Sequence, residues 1–243
     1  ICAKIIKLLH MSQNFNNKYF IVLNKGKIIF SCLDNKKKIF FTQRYNFTNY
    51  DLNNLSKEIE NFFKDKLIKM EKDLNDFIRK VIIIVDLDDH LSAELSMKFN
   101  MGSETINDQK INELLTSLKY QFSKYSNDQK VIHMIINKLL INGKEKDLYF
   151  TDEKSQNLIL EVKFECLKQQ TINMIKKSLS MYQISIENIL IANHLRQSAQ
   201  HELNDIVFLA DKLISIGNKN EVLWANQKSS NQGFFEKFFN FFD

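Results

Sequence analysis

Val81-Ile82-Ile83-Ile84-Val85 is the stretch that decides the fold. Five consecutive β-branched residues are typical of a strand that is buried on both faces, since they suit a pleated sheet and offer no polar side chain to water. We therefore expect a sheet that contains this strand and carries helices on its faces.

Upstream of this run, residues 18–47 have the pattern of short strands. Two turn signals, Asn24-Lys25-Gly26 and Asp34-Asn35-Lys36, interrupt the pattern. We predict a three-stranded meander with strands at Tyr19–Leu23, Lys27–Leu33 and Lys38–Thr42. From Asp51 the apolar residues instead recur every three or four positions, which predicts an amphipathic helix up to Phe77 with Asn49 or Asp51 as its cap.

Downstream of the run, helical and strand-like segments alternate. Further strands are predicted at 92–101, 131–141, 158–164 and 186–192. Helices are predicted at 107–125, 169–182 and 203–216, the last ended by Gly217. The fold class is therefore α+β, with a mixed or antiparallel sheet, flanking helices and a C-terminal amphipathic helix. The predicted divisions are 11–79, 80–192, a helical segment 193–218, a linker 219–232 and a terminal helix 233–243.

Composition restricts the classes of function. The chain of 243 residues is 44% hydrophobic and 12% aromatic, which is typical of a globular protein. Its 34 basic and 29 acidic residues give a net charge of only +5, spread along the chain. Nucleic-acid binding is not indicated, because that function usually needs a concentrated basic surface.

The cysteines and the hydropathy pattern bear on location. Cys2, Cys32 and Cys166 are widely separated and form no CxxC pair, which favours a reducing compartment. No run of about 18 apolar residues occurs, so we expect any membrane contact to be peripheral. Met11 is a candidate start of translation, and no signal peptide is expected before it.

Two segments carry a family resemblance. The Val81–Val85 strand is followed by Leu95-Ser96-Met97-Lys98, a helix, and Lys130-Val131-Ile132-His133-Met134-Ile135. Ser178–Leu190 then has a helix followed by an acidic and apolar strand. This order resembles the strand-helix-strand-strand subdomain that is inserted into the actin-like domain of the bacterial division protein FtsA. Residues 11–79 are similar in place to the first strands and helix of that domain.

The resemblance implies a function and also shows departures from the family. FtsA-like proteins bind ATP, tether FtsZ polymers to the membrane and end in a linker and an amphipathic helix. Here the first turn reads Leu23-Asn24-Lys25-Gly26 without the family's Asp, and the five glycines include no adjacent pair for a phosphate loop. Measured against the family, we also expect most of a second actin-like half to be absent from this sequence. We therefore expect no ATP binding and no cofactor.

Two groups of residues could in principle bind metal. Asp86, Asp88, Asp89 and His90 follow the strongest strand, and carboxylates there could hold a divalent cation. We interpret them as a polar turn, because no second acidic cluster accompanies them. A second group consists of His194 and His201, with Glu202 and Asp205 nearby in the sequence. Its spacing is not that of a zinc motif, so we interpret these histidines as surface residues and expect no metal site.

The C-terminal tail gives the clearest functional signal. Six phenylalanines fall on one side of a predicted helix, with Lys237 among the polar residues on the other side. They are Phe234, Phe235, Phe238, Phe239, Phe241 and Phe242. This pattern predicts a membrane-binding amphipathic helix, and a helix packed on the protein's own core is the alternative.

The sequence thus predicts a binding protein without catalytic residues. The first hypothesis is a cell-division adaptor that links an FtsZ-like polymer to the cytoplasmic face of the bacterial inner membrane as a peripheral protein, with possible self-association through residues 80–192. The alternatives are a PilM-like scaffold of a pilus or secretion system and a truncated actin-like ATPase.

Overall fold

The computed structural model describes residues 17–48, 52–146, 153–199, 205–217 and 221. Its first sheet has five strands in the order β3-β2-β1-β4-β9. These are β1 (Lys18–Asn24), β2 (Lys27–Leu33), β3 (Ile39–Asn46), β4 (Lys80–Asp86) and β9 (Ser185–Ile191). Strands β1, β2 and β3 form the antiparallel meander that the sequence predicts, whereas β4 lies parallel to both β1 and β9.

Both faces of the first sheet are covered by helices. Helices α1 (Leu52–Leu74) and α3 (Gln169–Ser180) cover one face, and α4 (Ala192–Ser198) and α5 (Ile206–Ile216) cover the other. The side chains of β4 alternate between the two cores: Ile83 belongs to the first core, and Ile82 and Ile84 belong to the second. The prediction of a strand buried on both faces is confirmed.

The second sheet is antiparallel and has the order β5-β8-β6-β7. Its strands are β5 (His90–Ile106), β6 (Gln129–Ile141), β7 (Lys144–Glu145) and β8 (Glu153–Lys168), and helix α2 (Asp108–Tyr125) packs on it. Asn107 caps α2, because its side-chain oxygen accepts a hydrogen bond from the backbone of Lys110. This unit, a strand, a helix and two long strands, is inserted between β4 and α3.

The inserted sheet spans residues 90–168, which is less than the predicted range of 80–192. The reason is that β4 and β9 pair with each other and with β1 in the first sheet. Strand β5 is also longer than the predicted 92–101. The fold class itself is confirmed as α+β with one mixed sheet, one antiparallel sheet and flanking helices.

Several predicted boundaries agree with the structure. The last described helix, α5, ends at Ile216, and Gly217 follows it with a φ of 76°. The residues proposed to cap α1, Asn49 and Asp51, lie outside the described residues, as do residues 1–16 and 222–243. No helix in the described ranges is long and apolar enough to cross a membrane.

Candidate functional site

Strands β1 and β4 end side by side, and a side-chain hydrogen bond joins their last residues, Asn24 and Asp86. Asp86 accepts two hydrogen bonds from the guanidinium of Arg196 in α4, at 2.8 and 2.7 Å. Asn24, at the end of β1, donates a third at 2.8 Å. The bonds from Arg196 hold the pKa of Asp86 below its usual range. The carboxylate that follows the strongest strand is therefore already neutralised by an arginine of the same chain.

The other residues of this turn have separate partners. Asp88 is paired with Lys25. Asp89 accepts from Lys168 at 2.7 Å and from Thr171 at 2.9 Å. The four residues Asp86, Asp88, Asp89 and His90 are thus not brought together around one point, and each carboxylate has its own hydrogen-bond donor.

A different group of ligand-type atoms does converge inside the protein. His133 in β6, His194 in α4 and Glu221 are all buried, and one atom of each lies within 4.8 Å of the others. Oε1 of Glu221 lies 2.5 Å from Nδ1 of His133, and Oε2 lies 2.7 Å from Nε2 of His194. We name these three residues the buried triad.

The buried triad joins three parts of the chain. His133 belongs to the second sheet, His194 to the helix that follows β9 of the first sheet, and Glu221 to the C-terminal segment. Glu221 also forms an isolated antiparallel bridge with Ile135, and the rings of His133 and His194 lie 4.3 Å apart. Side chain and backbone of Glu221 therefore both dock at the junction of the two sheets.

Backbone hydrogen bonding fixes the tautomer of His133. The backbone N–H of Ile191 donates to Nε2 of His133 at 3.0 Å, so Nε2 is the unprotonated nitrogen of a neutral ring. The proton then resides on Nδ1 and is donated to Glu221. A metal ion bound at Nδ1 would require the proton to be on Nε2. The N–H of Ile191 would then face the N–H of Nε2 instead of an acceptor. The geometry is that of a hydrogen-bonded triad.

The charges of the buried triad follow from burial and hydrogen bonding. Burial lowers the pKa of His133, against the opposite influence of Glu221, so the ring stays neutral near pH 7. Burial alone would raise the pKa of Glu221, but the hydrogen bonds from His133 and His194 outweigh it and lower the pKa to about 2. An ionised carboxylate is therefore held by the neutral ring of His133 on one side and by a hydrogen bond from His194 on the other.

A second buried carboxylate lies next to His133 in the sheet. Glu165 in β8 is the cross-strand partner of His133, and its Oε1 accepts from Lys163 at 2.6 Å and from Ser92 at 3.1 Å. Its other oxygen, Oε2, is buried without a hydrogen-bond partner among the described residues. This interior thus holds more acidic and polar groups than a hydrophobic core usually does.

The structure describes only some of the candidate residues that the sequence indicates. The spacing of His194 predicts a surface residue, but His194 is only 4% exposed and is bonded to Glu221, so this prediction is wrong. Asp205 caps α5 by accepting from the backbone of Val207. His201, Glu202 and the whole tail, with Phe234, Phe235, Lys237, Phe238, Phe239, Phe241 and Phe242, lie outside the described residues.

Sequence reasoning missed two members of the buried triad. His133 carried a signal, because it is a single polar residue within the apolar strand Val131–Ile136. Glu221 carried none. It lies in a polar segment that was predicted as a linker, and yet it is 6% exposed. Only its tertiary contacts distinguish it from the other acidic residues.

Comparisons with known proteins give only distant similarities. No protein-family model and no curated protein matches the chain. Among solved structures, the PilM-PilN type IV pilus biogenesis complex is similar over 75% of this chain and 50% of that chain, with 8% identity and a TM-score of 0.46. A Bacteroides thetaiotaomicron protein with an actin-like ATPase fold is similar over 79% of this chain and 60% of its own, with 12% identity and a TM-score of 0.35.

A third similar structure is the Marinitoga piezophila Argonaute in complex with guide RNA. It matches over 68% of this chain and 25% of its own, with 13% identity and a TM-score of 0.23. The chain thus spans half the length of the first structure and 60% of the second. At TM-scores this low and identities of 8 to 13%, the similarities assign neither a family nor a function.

Proposed function

We propose that this protein is a non-catalytic adaptor that binds a protein partner through its folded part and a membrane surface through residues 233–243. The observation that carries the non-catalytic part is the bidentate pairing of Asp86 with Arg196, at 2.8 and 2.7 Å. An enzyme acting on a nucleotide needs free carboxylates to hold the metal ion, and open backbone N–H groups around the phosphates. At this end of β1 and β4, the carboxylates of Asp86, Asp88 and Asp89 are occupied by Arg196, Lys25 and Lys168.

The turn after β1 supports the same conclusion. Asn24 donates its side-chain amide to Asp86, and Lys25 reaches Asp88, so the turn binds the protein's own acidic residues. Gly26 allows the turn its φ of 79°, but a side chain there would meet the carbonyl oxygen of Phe47 at 3.1 Å. The glycine is thus explained by local packing, without a phosphate.

Calorimetric titration with Mg-ATP tests the non-catalytic part. The expected result is no heat of binding for the wild type and none for Arg196→Ala, in which Asp86 is released from its partner. Micromolar affinity of the wild type would contradict the proposal. Binding by Arg196→Ala alone would show that the ion pair closes a nucleotide site, which would favour descent from a truncated ATPase.

The membrane part rests on the sequence of the tail. Burying one phenylalanine side chain fully is worth roughly 1.5 to 3 kcal/mol, so partial insertion of six rings leaves several kcal/mol after a short helix is ordered. The single Lys237, set against Glu236 and Asp243, adds little electrostatic attraction, so binding should depend weakly on salt. We propose reversible attachment at the cytoplasmic face of a bacterial inner membrane.

Liposome co-sedimentation tests this part. The full chain is compared with a version that ends at Gln232 and with Phe238→Glu/Phe239→Glu, at low and at high salt. We expect both altered proteins to keep their circular dichroism spectrum and to stay in the supernatant, while Lys237→Gln, the control, still sediments. If the altered proteins sediment like the wild type, or unfold, the tail does not act as an anchor.

The partner is proposed to be a cytoskeletal division polymer of the FtsZ type, and a PilN-like protein is the other candidate. Both belong to the hypotheses that the sequence raised. Pull-down with each purified protein distinguishes a division adaptor from a pilus scaffold. If neither binds, the adaptor role loses its proposed partner, while the ATP and liposome experiments remain decisive for the other two parts.

A further inference from the structure

Strand β5 offers a long open edge. It spans seventeen residues, His90–Ile106, and it is the first strand in the order β5-β8-β6-β7. Its inner side is paired with β8 without interruption from His90 to Asn100. No strand in the described part of the chain pairs with its outer side, so a regular row of backbone N–H and C=O groups is available there.

The two faces of β5 differ in character. Ala93, Leu95, Met97 and Phe99 pack against the core of the second sheet. The opposite face is exposed and polar, with Ser92, Glu94, Ser96, Lys98 and Asn100. Within the described residues, neither Glu94 nor Lys98 forms a salt bridge. Glu94 lies opposite Lys163 of β8, but the amine of Lys163 is bonded to Glu165, so Glu94 and Lys98 both remain available for a new ion pair on the exposed face.

The order of these side chains is self-complementary. The acidic Glu94 lies two residues before Ser96, and the basic Lys98 lies two residues after it. Ser92 and Asn100, both polar, follow at the next positions of the same face. When an antiparallel copy is centred on the same serine, acidic and basic residues stand opposite each other.

We propose that β5 pairs with β5 of a second copy of this chain, antiparallel and centred on Ser96, which joins two four-stranded sheets into one of eight strands. Glu94 of each copy then faces Lys98 of the other, so the two-fold axis generates two ion pairs. On the core side, Leu95 faces Met97 of the other copy. A two-fold axis perpendicular to the sheet keeps α2 of both copies on one side.

The charges also select this register over its neighbours. A two-fold pairing centred on Glu94 places Glu94 opposite itself, and one centred on Lys98 places Lys98 opposite itself. Like charges directly opposite one another destabilise a strand pair. Pairings centred on Leu95 or Met97 set each charge against a neutral residue. The register at Ser96 is therefore favoured among those available to this strand.

The proposed pairing does not depend on the adaptor role, and it commits to a second copy because Glu94 and Lys98 complement each other only across such an axis. A strand from another protein would fit the same backbone groups but would gain nothing from this symmetry. Charged side chains on an open edge can also serve to prevent pairing. These alternatives predict a monomer.

Analytical ultracentrifugation over a range of concentrations tests the proposal on the full chain. We expect the wild type to form a dimer. In Lys98→Glu, Glu94 of each copy faces a glutamate of the other copy, so both ion pairs are replaced by repulsion. This should weaken the dimer by about tenfold or more. The exchanged variant Glu94→Lys/Lys98→Glu restores both ion pairs with their signs reversed, and it should dimerise like the wild type.

The control is Lys144→Glu, which makes the same change of charge on the exposed strand β7 and should leave the dimer unchanged. Circular dichroism of each variant verifies folding. A monomeric wild type overturns the proposal, and so does a Lys98→Glu protein that dimerises with wild-type affinity. A folded exchanged variant that stays monomeric also overturns it, since self-complementary charge would then not be what holds the copies together.

Discussion

Glu221 and His133 are 88 positions apart in the sequence, and Oε1 of the first lies 2.5 Å from Nδ1 of the second. The same carboxylate accepts from His194 at 2.7 Å. Because the three side chains come from the second sheet, from helix α4 and from the C-terminal segment, one ionised group ties the end of the fold to both sheets. A buried carboxylate contributes stability only while both of its donors are present.

Glu221→Gln should therefore destabilise the protein by about 2 to 3 kcal/mol. The amide can accept one hydrogen bond with its oxygen, but its NH₂ group would then face an N–H of the other histidine. Urea denaturation measures the effect. The control Glu145→Gln alters a mostly exposed glutamate of β7 and should cost less than about 0.5 kcal/mol. Equal costs for the two variants would mean that the buried triad contributes no net stability.

The buried triad also predicts how stability depends on pH. Burial lowers the pKa of His133 from its usual 6.5, so below pH 6.5 the unfolded chain takes up a proton that the folded protein does not bind. Stability must then fall as the pH falls through this range. Glu221, with a pKa of about 2 when folded, adds a further loss only below its unfolded value of 4.5.

The contribution of His133 can be isolated with His133→Asn, whose amide can still donate to Glu221. Free energies of unfolding are measured between about pH 5 and pH 6.5. The wild type should lose up to about 1.4 kcal/mol per pH unit more than the variant, which is the value for one proton. Parallel pH profiles would show that the folded protein binds this proton as readily as the unfolded chain.

The two buried cysteines should be chemically inert in the folded protein. Cys32 in β2 and Cys166 in β8 are both fully buried, and burial, helped by Asp76 and by Glu165 respectively, raises the pKa of each thiol to about 12. The reactive species is the thiolate, which is then scarce near pH 8. In a Cys2→Ser background, a thiol reagent should label neither residue until urea is added, and rapid labelling of the native protein would contradict the structure.

The sequence predicted the features that repeat locally. The run Val81–Val85 indicated burial on both faces, and the structure confirms it because alternate residues enter the two cores. The strand-like composition of Val131–Ile141 likewise predicted β6. The sequence places residues 80–86 in the inserted unit, whereas the structure has them in the first sheet, because order along the chain does not reveal which sheet a strand joins.

The buried triad was missed for a related physical reason. Periodicity reports which face of an element is apolar, but a hydrogen bond between residues 88 positions apart leaves no periodic trace. His194 is polar and follows a strand, which is also the pattern of a surface residue. Glu221 differs from its neighbours in the sequence only because the complete fold places its carboxylate between His133 and His194.

Two glycines with the same φ allow the close packing of the first turn to be tested. Gly26 and Gly143 each lie in a tight turn between antiparallel strands, and both have a φ of 79°. A side chain at either position is strained by this φ. A Cβ at Gly26 would in addition lie 3.1 Å from the backbone oxygen of Phe47, whereas nothing lies within 4 Å at Gly143.

Gly143→Ala should therefore cost only the strain of the left-handed region, about 1 kcal/mol, whereas Gly26→Ala should cost about 2 kcal/mol or more. The carbonyl of Phe47 cannot retreat freely, because Phe47 is tied to the same turn by the hydrogen bond from its N–H to the oxygen of Gly26, at 2.8 Å. Urea denaturation of the two variants compares the costs directly. Equal destabilisation would mean that the chain after β3 yields to the new methyl group, and that the close approach at Gly26 adds no cost beyond the backbone strain.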